Sequence, residues 1–259
     1  EAAFLRSVGL GSNLFPPFSL VVDDRGIYYD ASAPSELEHI LNTADFEPEE
    51  LRRAQMLIHR LVSSKITKYN LKCRSLSVES KGKPVVFVPG QVEDDASIRF
   101  GSPEIKTNLA LITAVRESRP DAFILYKPHP DVCSGNRRNF SDMTRVRQLC
   151  DQIVTDVDVI DCITVADEVH TMTSLTGFEA LIRHKKVVCY GLPFYAGWGL
   201  TTDRLKTSRR VRQLTLEALA AGTLLRYSRY VDPQSGEFIS AEQAVSLIEA
   251  QRQPGISRL

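Results

Sequence analysis

The stretch PVVFVPGQVEDDAS, residues 84–97, decides the fold because a short apolar run leads directly into a polar loop. An apolar strand of this kind is typical of a parallel sheet, in which both faces are buried. The loop after it carries three adjacent acids, Glu93, Asp94 and Asp95, whose charges repel one another. The residues alone leave three interpretations open: a solvated loop, a metal site, or a carboxylate held ready for catalysis.

The same pattern continues along the rest of the chain from residue 83 onward. The runs DAFILY, EVHTMT and KVVCYG alternate with the helical segments SPEIKTNLALITAVRES, TRVRQLCDQI and SLTGFEALIRH. Strands that alternate with helices predict βαβ units and an α/β fold with a parallel sheet covered on both faces. The segments TLEALAAGTLL and SAEQAVSLIEAQR predict two further helices.

The first 80 residues follow a different pattern. FSLVVDDRGIYYD, residues 18–30, predicts two short strands around a turn at DRG. Helices are predicted in SELEHILNT and in EPEELRRAQMLIHRLVSSKI, with Pro34 and Pro48 near their starts. The polar, basic segment TKYNLKCRSLSVESKGK, residues 67–83, is the expected domain boundary.

Composition narrows the class of protein. The chain has 259 residues, 43% of them hydrophobic, which suits one large or two small domains. Its 32 basic residues balance its 32 acidic ones, so the sequence lacks the broad positive charge of a general nucleic-acid-binding protein. No apolar run approaches the roughly 20 residues of a membrane-spanning helix. Five cysteines without a CxxC pair fit a reducing compartment. The opening EAAFLRSVGL, without an initiator Met, is expected to belong to a longer polypeptide.

Three loops follow strands of the predicted sheet, where ligands bind in open α/β folds. They are GQVEDDAS, KPHPD and SLTGFEA, and they are expected to face one crevice. Lys127 and His129 lie on a loop stiffened by prolines and are suited to clamp a phosphate or carboxylate. Ser174 and Thr176 lie at a predicted helix start, where free N–H groups favour an anion. The alternatives are a surface turn for the first pair and simple helix capping for Ser174.

Other kinds of site are not supported by the sequence. It contains neither His and Cys at zinc-like spacing nor a GxxxxGK[ST] or GxGxxG run, so no metal and no cofactor is assigned. His170 is expected to be a satisfied core residue, and His39, His59 and His184 are expected at the surface or boundary of helices. The basic stretch DRLKTSRRVR, residues 203–212, is expected to be a solvated face, with attraction of anionic lipid as the alternative.

Longer motifs point to a family. The stretch YGLPFYAGWGLTTD, residues 190–203, holds the only tryptophan and more aromatics and glycines than an ordinary loop needs. With EAAFLRSVGLGS, VPGQVEDDAS, LYKPHPD and TSLTGFEALI, it resembles the KpsC-type capsule polysaccharide proteins, the β-Kdo glycosyltransferases of Gram-negative capsule assembly. The resemblance covers nearly the whole chain. It implies a GT-B-like α/β fold with two Rossmann-like domains facing a cleft, the N-terminal one incomplete in this chain.

The resemblance also implies a reaction: retaining transfer of Kdo, an acidic keto-sugar, from CMP-Kdo to a Kdo-bearing phospholipid by double displacement. By analogy Asp95 is the nucleophile, preferred to Asp94, and Gln91 supports it. The HP motif, His129-Pro130, and the Ser/Thr motif, Ser174 and Thr176, are implied to bind CMP, whose single phosphate can leave without a divalent metal. The further substrate-binding residues of this interpretation are Asp94, Lys127, His129, Pro130, Ser174, Thr176, Gly177, Glu179, Arg6, Ser7, Tyr195 and Trp198.

One departure from the family pattern falls at the start of the chain. The pattern there resembles Glu-Asp-Gly/Ala-Phe, with the Asp as the acid-base residue, whereas this chain reads Glu1-Ala2-Ala3-Phe4. Glu1 and Ala2 therefore occupy the expected catalytic positions, but Ala2 cannot move a proton. Two explanations stay open: an inactivated Asp-to-Ala variant, which is preferred, and a different alignment of these four residues.

The resemblance finally predicts organisation and partners. Residues 1–80 are expected to be the remainder of the acceptor-side domain, residues 81–200 the CMP-sugar-binding domain, and residues 201–259 helices that pack back across both. The protein is expected in the cytoplasm, peripheral to the inner face of the cytoplasmic membrane, beside capsule assembly proteins and without nucleic acid. The Kdo linkage, the exact acceptor and the oligomeric state stay open. The alternatives are a sialyltransferase-like CMP-sugar transferase, a sugar-nucleotide epimerase and a non-catalytic capsule-assembly scaffold.

Overall fold

The computed structural model describes residues 4–8, 14–70, 76–135 and 142–252. Contacts divide the chain into two compact units. Unit 1 comprises Glu1–Ile27, Ser35–Lys72 and Leu214–Leu259, and unit 2 comprises Tyr28–Pro34 and Cys73–Gln213. Unit 1 thus draws on both ends of the chain, and the division expected at residues 80 and 200 stays a prediction.

The described residues form nine strands, ten α-helices and one π-helical segment. The strands are β1 Ser19–Leu20, β2 Val85–Pro89, β3 Phe123–Lys127, β4 Gln152–Ile153, β5 Glu168–Thr171, β6 Lys186–Cys189, β7 Thr202–Asp203, β8 Arg229–Val231 and β9 Phe238–Ile239. The α-helices are α1 Glu36–Thr43, α2 Pro48–Ser63, α3 Ala96–Gly101, α4 Asn108–Ser118, α5 Pro130–Cys133, α6 Met143–Leu149, α7 Val159–Val165, α8 Leu175–Leu181, α9 Leu216–Ala220 and α10 Ala241–Arg252. The π-helical segment Ala221–Tyr227 follows α9.

Unit 2 is built on one parallel sheet of six strands in the order β4-β3-β2-β5-β6-β7. All five neighbouring pairs are parallel. Counted within this sheet alone, the order is 3-2-1-4-5-6, the arrangement of a Rossmann-like doubly wound fold. The predicted parallel α/β architecture is therefore confirmed. The strand order reverses between β2 and β5, and such a switch point opens a crevice at the carboxyl ends of the strands.

Strand β2 is the first strand of this sheet along the chain, and every residue of its sequence VVFVP is buried. Val86 and Val88 pack in one core cluster with Ile124 of β3 and with the apolar face of α4, Leu111 and Ile112 among them. Burial of such side chains contributes roughly 1.5–3 kcal/mol each. Most helices of the unit begin at a polar N-cap whose side chain accepts a hydrogen bond from the first turn, which fixes the point where each polar loop ends. These caps are Asp95, Thr107, His129, Asp142, Asp158 and Ser174.

Unit 1 is mainly helical, with a three-stranded antiparallel sheet in the order β1-β8-β9. The two helices predicted in its first half are confirmed: Ser35 caps α1, and Pro48 is the first residue of α2. A bidentate ion pair from Arg53 to Glu242 links α2 to α10. Among the described residues of either unit, no helix is long and apolar enough to cross a membrane.

The predicted hairpin over residues 18–30 is wrong. Ser19 and Leu20 pair instead with β8, more than 200 residues further on. The Asp23 side chain explains the change, because it accepts hydrogen bonds from the backbone N–H groups of Gly26 and Glu36 and so turns the chain towards α1. Other differences are smaller: the helix predicted over residues 102–118 begins at Asn108, and α3, α5, α7, β4, β7, β8 and β9 were not predicted.

A buried charge network confirms the core role predicted for His170. Its side chain is 1% exposed. Its Nε2 lies 2.9 Å from a Glu168 carboxylate oxygen, and its Nδ1 lies 3.2 Å from the Tyr190 hydroxyl. Arg119 and Lys186 also donate to Glu168. Burial works against the Glu168 carboxylate, but hydrogen bonds from Lys186, His170 and Arg119 outweigh it and lower its pKa to about 2.

We therefore expect Glu168→Gln to lower the free energy of unfolding at pH 7, because it removes the charge that these hydrogen bonds stabilise. The expected loss is about 2 kcal/mol, less than the full pKa shift implies, because Arg119 and Lys186 are partly exposed and solvent screens their charges. A depressed pKa contributes stability above the ordinary value of 4.5, and this contribution is lost as the pH falls towards 2. The difference between the parent and the variant, measured by urea unfolding, should shrink below about pH 4. Glu117→Gln, at an exposed position of α4, is the matched control. A constant difference across this pH range would contradict the account.

Candidate active site

The three predicted loops meet at the point where the strand order of the parallel sheet reverses. The first follows β2, the second follows β3, and the third follows β5. Gly90 of the first loop donates its N–H to the Lys127 carbonyl at 2.7 Å, which joins the first loop to the second. Gln91 bonds to Thr173, which joins the first loop to the third. A crevice at this edge is the usual ligand site of a doubly wound sheet.

Gln91 is the central anchor of the site. Its main chain is held by Asn108, whose amide accepts from the Gln91 N–H and donates to the Gln91 carbonyl, both at 2.9 Å. Its side-chain Oε1 accepts from the Thr173 N–H at 3.0 Å and from the Thr171 hydroxyl at 3.3 Å. Its Nε2 donates to Thr173 Oγ1 at 2.9 Å. Gln91 is 6% exposed, and its role in this structure is to tie β2 to β5.

The three adjacent acids separate into different roles. Glu93 Oε1 accepts hydrogen bonds from the backbone and side-chain N–H groups of Asn108, at 2.7 and 3.0 Å. Asp95 caps α3, because its Oδ1 accepts from the Ser97 N–H at 2.9 Å and from the Ser97 hydroxyl at 2.7 Å. Asp94 and Asp95 are both exposed. Within the described ranges, no group of three His, Cys, Asp or Glu side chains is placed to hold a metal ion.

The second loop presents His129 at the start of α5, with Pro130 as the first helical residue. His129 Nδ1 accepts a hydrogen bond from the Asp131 N–H at 3.2 Å. In the neutral ring, Nε2 is therefore the nitrogen that carries the proton and can donate it. Lys127 Nζ donates to the Thr155 carbonyl at 3.0 Å, so this cation also fastens the loop to the chain beyond β4.

Close approach of the backbones explains the glycine at position 90. A Cβ added to Gly90 would lie 2.8 Å from Tyr126 Oη, 2.9 Å from Pro128 Cα and 3.0 Å from His129 N. Two of these three neighbours are backbone atoms, which cannot rotate away. Gly90 therefore lets the first loop pass directly against the loop that carries His129.

The third loop places Ser174 and Thr176 at the start of α8. Ser174 Oγ accepts from the Thr176 N–H at 3.2 Å, so Ser174 acts as the N-cap that was the simpler prediction. Gly177 is required by packing, because a Cβ there would lie 2.2 Å from Tyr195 Oη. Glu179 is 8% exposed, so little of its side chain is available to a ribose in this conformation.

The aromatic loop after β6 supports the site from inside. Tyr195 and Trp198 have no exposed surface. Both pack inside this loop: Tyr195 donates to the Ser174 carbonyl, and Trp198 donates to the Phe194 carbonyl. Their contact with substrate stays a prediction. Burial raises the pKa of Tyr195 well above its usual value, so its hydroxyl stays protonated as a donor.

Part of the basic stretch 203–212 also differs from the expected solvated face. Arg210 is 9% exposed and donates to the Pro193 and Ala196 carbonyls of the aromatic loop. Arg209 donates to the Ala31 and Ala33 carbonyls. These two guanidinium groups are therefore engaged in fixing loops of unit 2.

The remaining predicted residues lie in unit 1 or outside the described residues. Ser7 is completely buried; its N–H donates to the Lys68 carbonyl and its own carbonyl accepts from Asn70. Arg6 is partly buried, and its carbonyl accepts from the Phe18 N–H. Glu1 and Ala2 lie outside the described residues.

Four residues of the site were not predicted: Asn108, Thr171, Thr173 and Ser97. The only sequence signal for the two threonines was their position at the end of the strand EVHTMT. Together with the predicted residues they give an exposed carboxylate fixed through one oxygen, a histidine that donates through Nε2, and hydroxyl groups at one sheet edge. Such a set suits nucleophilic displacement of an anionic leaving group.

This fold and site define a Rossmann-like α/β protein whose three candidate loops meet at the switch point of its sheet. The chain belongs to the Capsule_synth family, described as capsule polysaccharide biosynthesis protein, whose model matches residues 1–70 and 45–230. Two solved structures from Thermosulfurimonas dismutans are similar to it. The KpsC beta Kdo 2,7 transferase is 45% identical, with a TM-score of 0.82 over 98% of this chain and 77% of that one. The KpsC beta Kdo 2,4 transferase is 35% identical, with a TM-score of 0.86 over 96% and 78%. The α/β, GT-B-like fold class agrees with these structures.

Curated relatives are longer than this chain. The capsule polysaccharide modification protein LipA of Neisseria meningitidis serogroup B is 52% identical over 97% of this chain and 36% of its own length. The lipopolysaccharide-processing protein LpsZ of Rhizobium meliloti is 40% identical over 95% of this chain and 57% of its own length. The chain thus spans between about a third and three fifths of these relatives.

We expect Gly90→Ala to lower the free energy of unfolding by about 1–3 kcal/mol, because the added methyl overlaps backbone atoms of the His129 loop. Urea unfolding measures the loss. In the double variant Gly90→Ala, Tyr126→Phe the loss due to Gly90→Ala should persist, since removing the Tyr126 hydroxyl relieves only one of three contacts. Full recovery in the double variant, or no loss in the single one, would show that the two backbones do not meet as described.

Proposed function

We propose that the chain is the catalytic module of a retaining β-Kdo glycosyltransferase that uses CMP-Kdo as donor. The observation that carries the proposal is the meeting of the Asp95, His129 and Ser174 loops at the switch point of the sheet. Similarity to two structures titled beta Kdo transferases, at 45% and 35% identity, supports the class of donor sugar.

In the first half-reaction, the Asp95 Oδ2 lone pair forms a bond to the anomeric carbon of Kdo. The bond from that carbon to the CMP phosphate oxygen breaks, and its electron pair leaves with CMP. In the described part of the chain no group donates to Oδ2, whereas Oδ1 is held twice by Ser97. This arrangement leaves one carboxylate oxygen ready for attack and fixes the plane of the group.

The leaving CMP carries negative charge that the second and third loops are suited to stabilise. His129 donates through Nε2, and the hydroxyl of Thr176 lies at the start of α8. Hydrogen bonds to a developing charge are stronger in a site with little water than in bulk solvent. We assign His129, Pro130, Ser174, Thr176 and Gly177 to CMP binding, while Lys127 completes the positive side of the loop.

In the second half-reaction, an acceptor hydroxyl attacks the same carbon and displaces Asp95, and its proton passes to a base. Two inversions give net retention. We place that base at position 2, where this chain has Ala2, with Glu1 beside it. Alanine cannot accept a proton, so this chain should load the donor faster than it transfers the sugar.

The acceptor and the location are further parts of the proposal. Proteins of capsule polysaccharide biosynthesis act on glycans, and we propose a Kdo-bearing phospholipid as the acceptor. Such an acceptor would bring the protein to the inner face of the cytoplasmic membrane, as a peripheral protein beside other capsule assembly proteins. Arg6 and Ser7 belong to unit 1, which we assign to the acceptor side.

Incubation with freshly generated CMP-Kdo should add one Kdo to the chain, detected by intact-protein mass spectrometry and mapped to the peptide around Asp95. Asp95→Asn should abolish the adduct, because an amide is a poor nucleophile. Asp94→Asn is the matched control, because Asp94 is the neighbouring acid of the same loop, and this variant should still form the adduct.

Each other result points to a different function. An adduct that persists in Asp95→Asn and disappears in Asp94→Asn would move the nucleophile by one residue. Loading by CMP-sialic acid but not by CMP-Kdo would favour a sialyltransferase-like enzyme. Turnover of a UDP-sugar without an acceptor would favour an epimerase. Absence of any adduct together with absence of thermal stabilisation by CMP would favour a non-catalytic scaffold.

A further inference from the structure

A directed chain of hydrogen bonds leads from the buried switch point to the exposed Asp95 carboxylate. Gln91 Nε2 donates to Thr173 Oγ1 at 2.9 Å, and the Thr173 hydroxyl donates to Ser97 Oγ at 3.4 Å. The Ser97 hydroxyl then donates to Asp95 Oδ1 at 2.7 Å. Each hydroxyl accepts one hydrogen bond and donates one, so every proton of the chain points towards the carboxylate.

The direction of this series of hydrogen bonds is fixed at its buried end. Gln91 Oε1 accepts from the Thr173 N–H and the Thr171 hydroxyl, and both are groups that need an acceptor. The amide therefore has to present its NH₂ side to Thr173 Oγ1, because the reversed amide would oppose donor to donor. The donor-to-acceptor direction of these hydrogen bonds therefore follows from backbone and strand positions and does not depend on Asp95.

Thr173 is held in place by its methyl group. A Cβ added to Gly101 would lie 2.9 Å from Thr173 Cγ2, and one added to Gly191 would lie 3.0 Å from the same atom. The methyl thus fits against two glycines, one at the end of α3 and one after β6. A β-branched residue packed in this way keeps one χ1 rotamer, and the Thr173 hydroxyl stays on the side of Gln91 and Ser97.

We infer that Ser97 and Thr173 are positioning residues for the nucleophile: Ser97 fixes Asp95 Oδ1 directly, and Thr173 orients Ser97. The inference rests on the proposed role of Asp95 and names residues outside the motifs that led to that role. With Oδ1 held, rotation of the carboxylate about χ2 is restricted, and Oδ2 keeps the orientation needed for attack on the anomeric carbon. Neither residue exchanges a proton or forms a bond in the reaction.

Ser97 also makes a backbone hydrogen bond to Asp95, which is an ordinary helix cap. This bond does not involve the hydroxyl and would survive the loss of it. Capping and positioning can therefore be separated by Ser97→Ala, which keeps the N–H donor and removes only the hydroxyl. Thr173→Val likewise removes the hydroxyl and keeps the branched shape.

The test measures the rate of Kdo addition to Asp95 by quenched-flow mass spectrometry over a range of CMP-Kdo concentrations. Ser97→Ala should lower the rate at saturating donor by about tenfold, the usual effect of losing a hydrogen bond to a charged group. Thr173→Val should lower it less, because the Thr173 to Ser97 contact is the longest of the chain. The donor concentration for half-maximal rate should stay the same, since CMP is held by other loops.

Conservative variants provide the matched controls. Ser97→Thr keeps the hydroxyl group and should restore most of the rate. Thr173→Ser keeps the hydroxyl but loses the methyl that fixes its rotamer, so its rate should lie between those of the parent and Thr173→Val. Ser97→Ala that forms the adduct at the parent rate would overturn the inference while leaving Asp95 as the nucleophile. A rate lowered equally in Ser97→Ala and Ser97→Thr would also overturn it, because the loss would then follow packing and not the hydroxyl. An unaltered chain that binds CMP but forms no adduct on Asp95 would contradict the proposed function, and this inference with it.

Discussion

The site depends on one residue held by hydrogen bonds on all sides, Gln91, which lies where the order of the parallel strands reverses. A switch point leaves two neighbouring strands whose following loops diverge to opposite faces of the sheet, so a crevice opens between them. Asn108 holds the Gln91 main chain, and Thr171 and Thr173 hold its side chain. Gln91 is therefore hydrogen-bonded through both its main chain and its side chain, and a satisfied buried network keeps its geometry.

Close packing of the surrounding loops follows from the same constraint. Gly90 lets the His129 loop lie directly against the strand that leads to Gln91, and Gly177 lets the Tyr195 ring pack under α8. The aromatic loop is fixed in turn by Arg210, a buried cation bonded to two carbonyls. The three candidate loops thus rest on rigid elements, which the proposed chemistry requires, because small misplacements of a reacting group lower rates steeply.

Much of the fold and part of the site could be predicted from the sequence. The apolar strands that start and continue the sheet carry a clear signal, and the three loops predicted after them do meet at one edge of the sheet. The two-residue strands such as β4 and β7 could not be predicted, because two residues show no periodicity. The hairpin over residues 18–30 failed because the Asp23 side chain accepts a hydrogen bond from the N–H of Glu36, 13 residues further on at the start of α1. The burial of Tyr195 and Trp198 could not be predicted, because aromatic density is the same in a ligand site and in a packed loop. The Gln91–Thr173 contact joins residues 82 apart, and only the folded chain brings them together.

CMP is proposed to bind at the switch point, with its phosphate between the His129 and Ser174 loops. The most direct test is a crystal structure of this chain with CMP. We expect phosphate oxygens within hydrogen-bond distance of His129 Nε2 and of the amide or hydroxyl groups of Ser174 and Thr176, with Asp95 Oδ2 facing the phosphate. CMP bound elsewhere, such as among Arg53, Arg229 and Tyr230 of unit 1, or bound at the switch point with its phosphate turned away from His129, would contradict it.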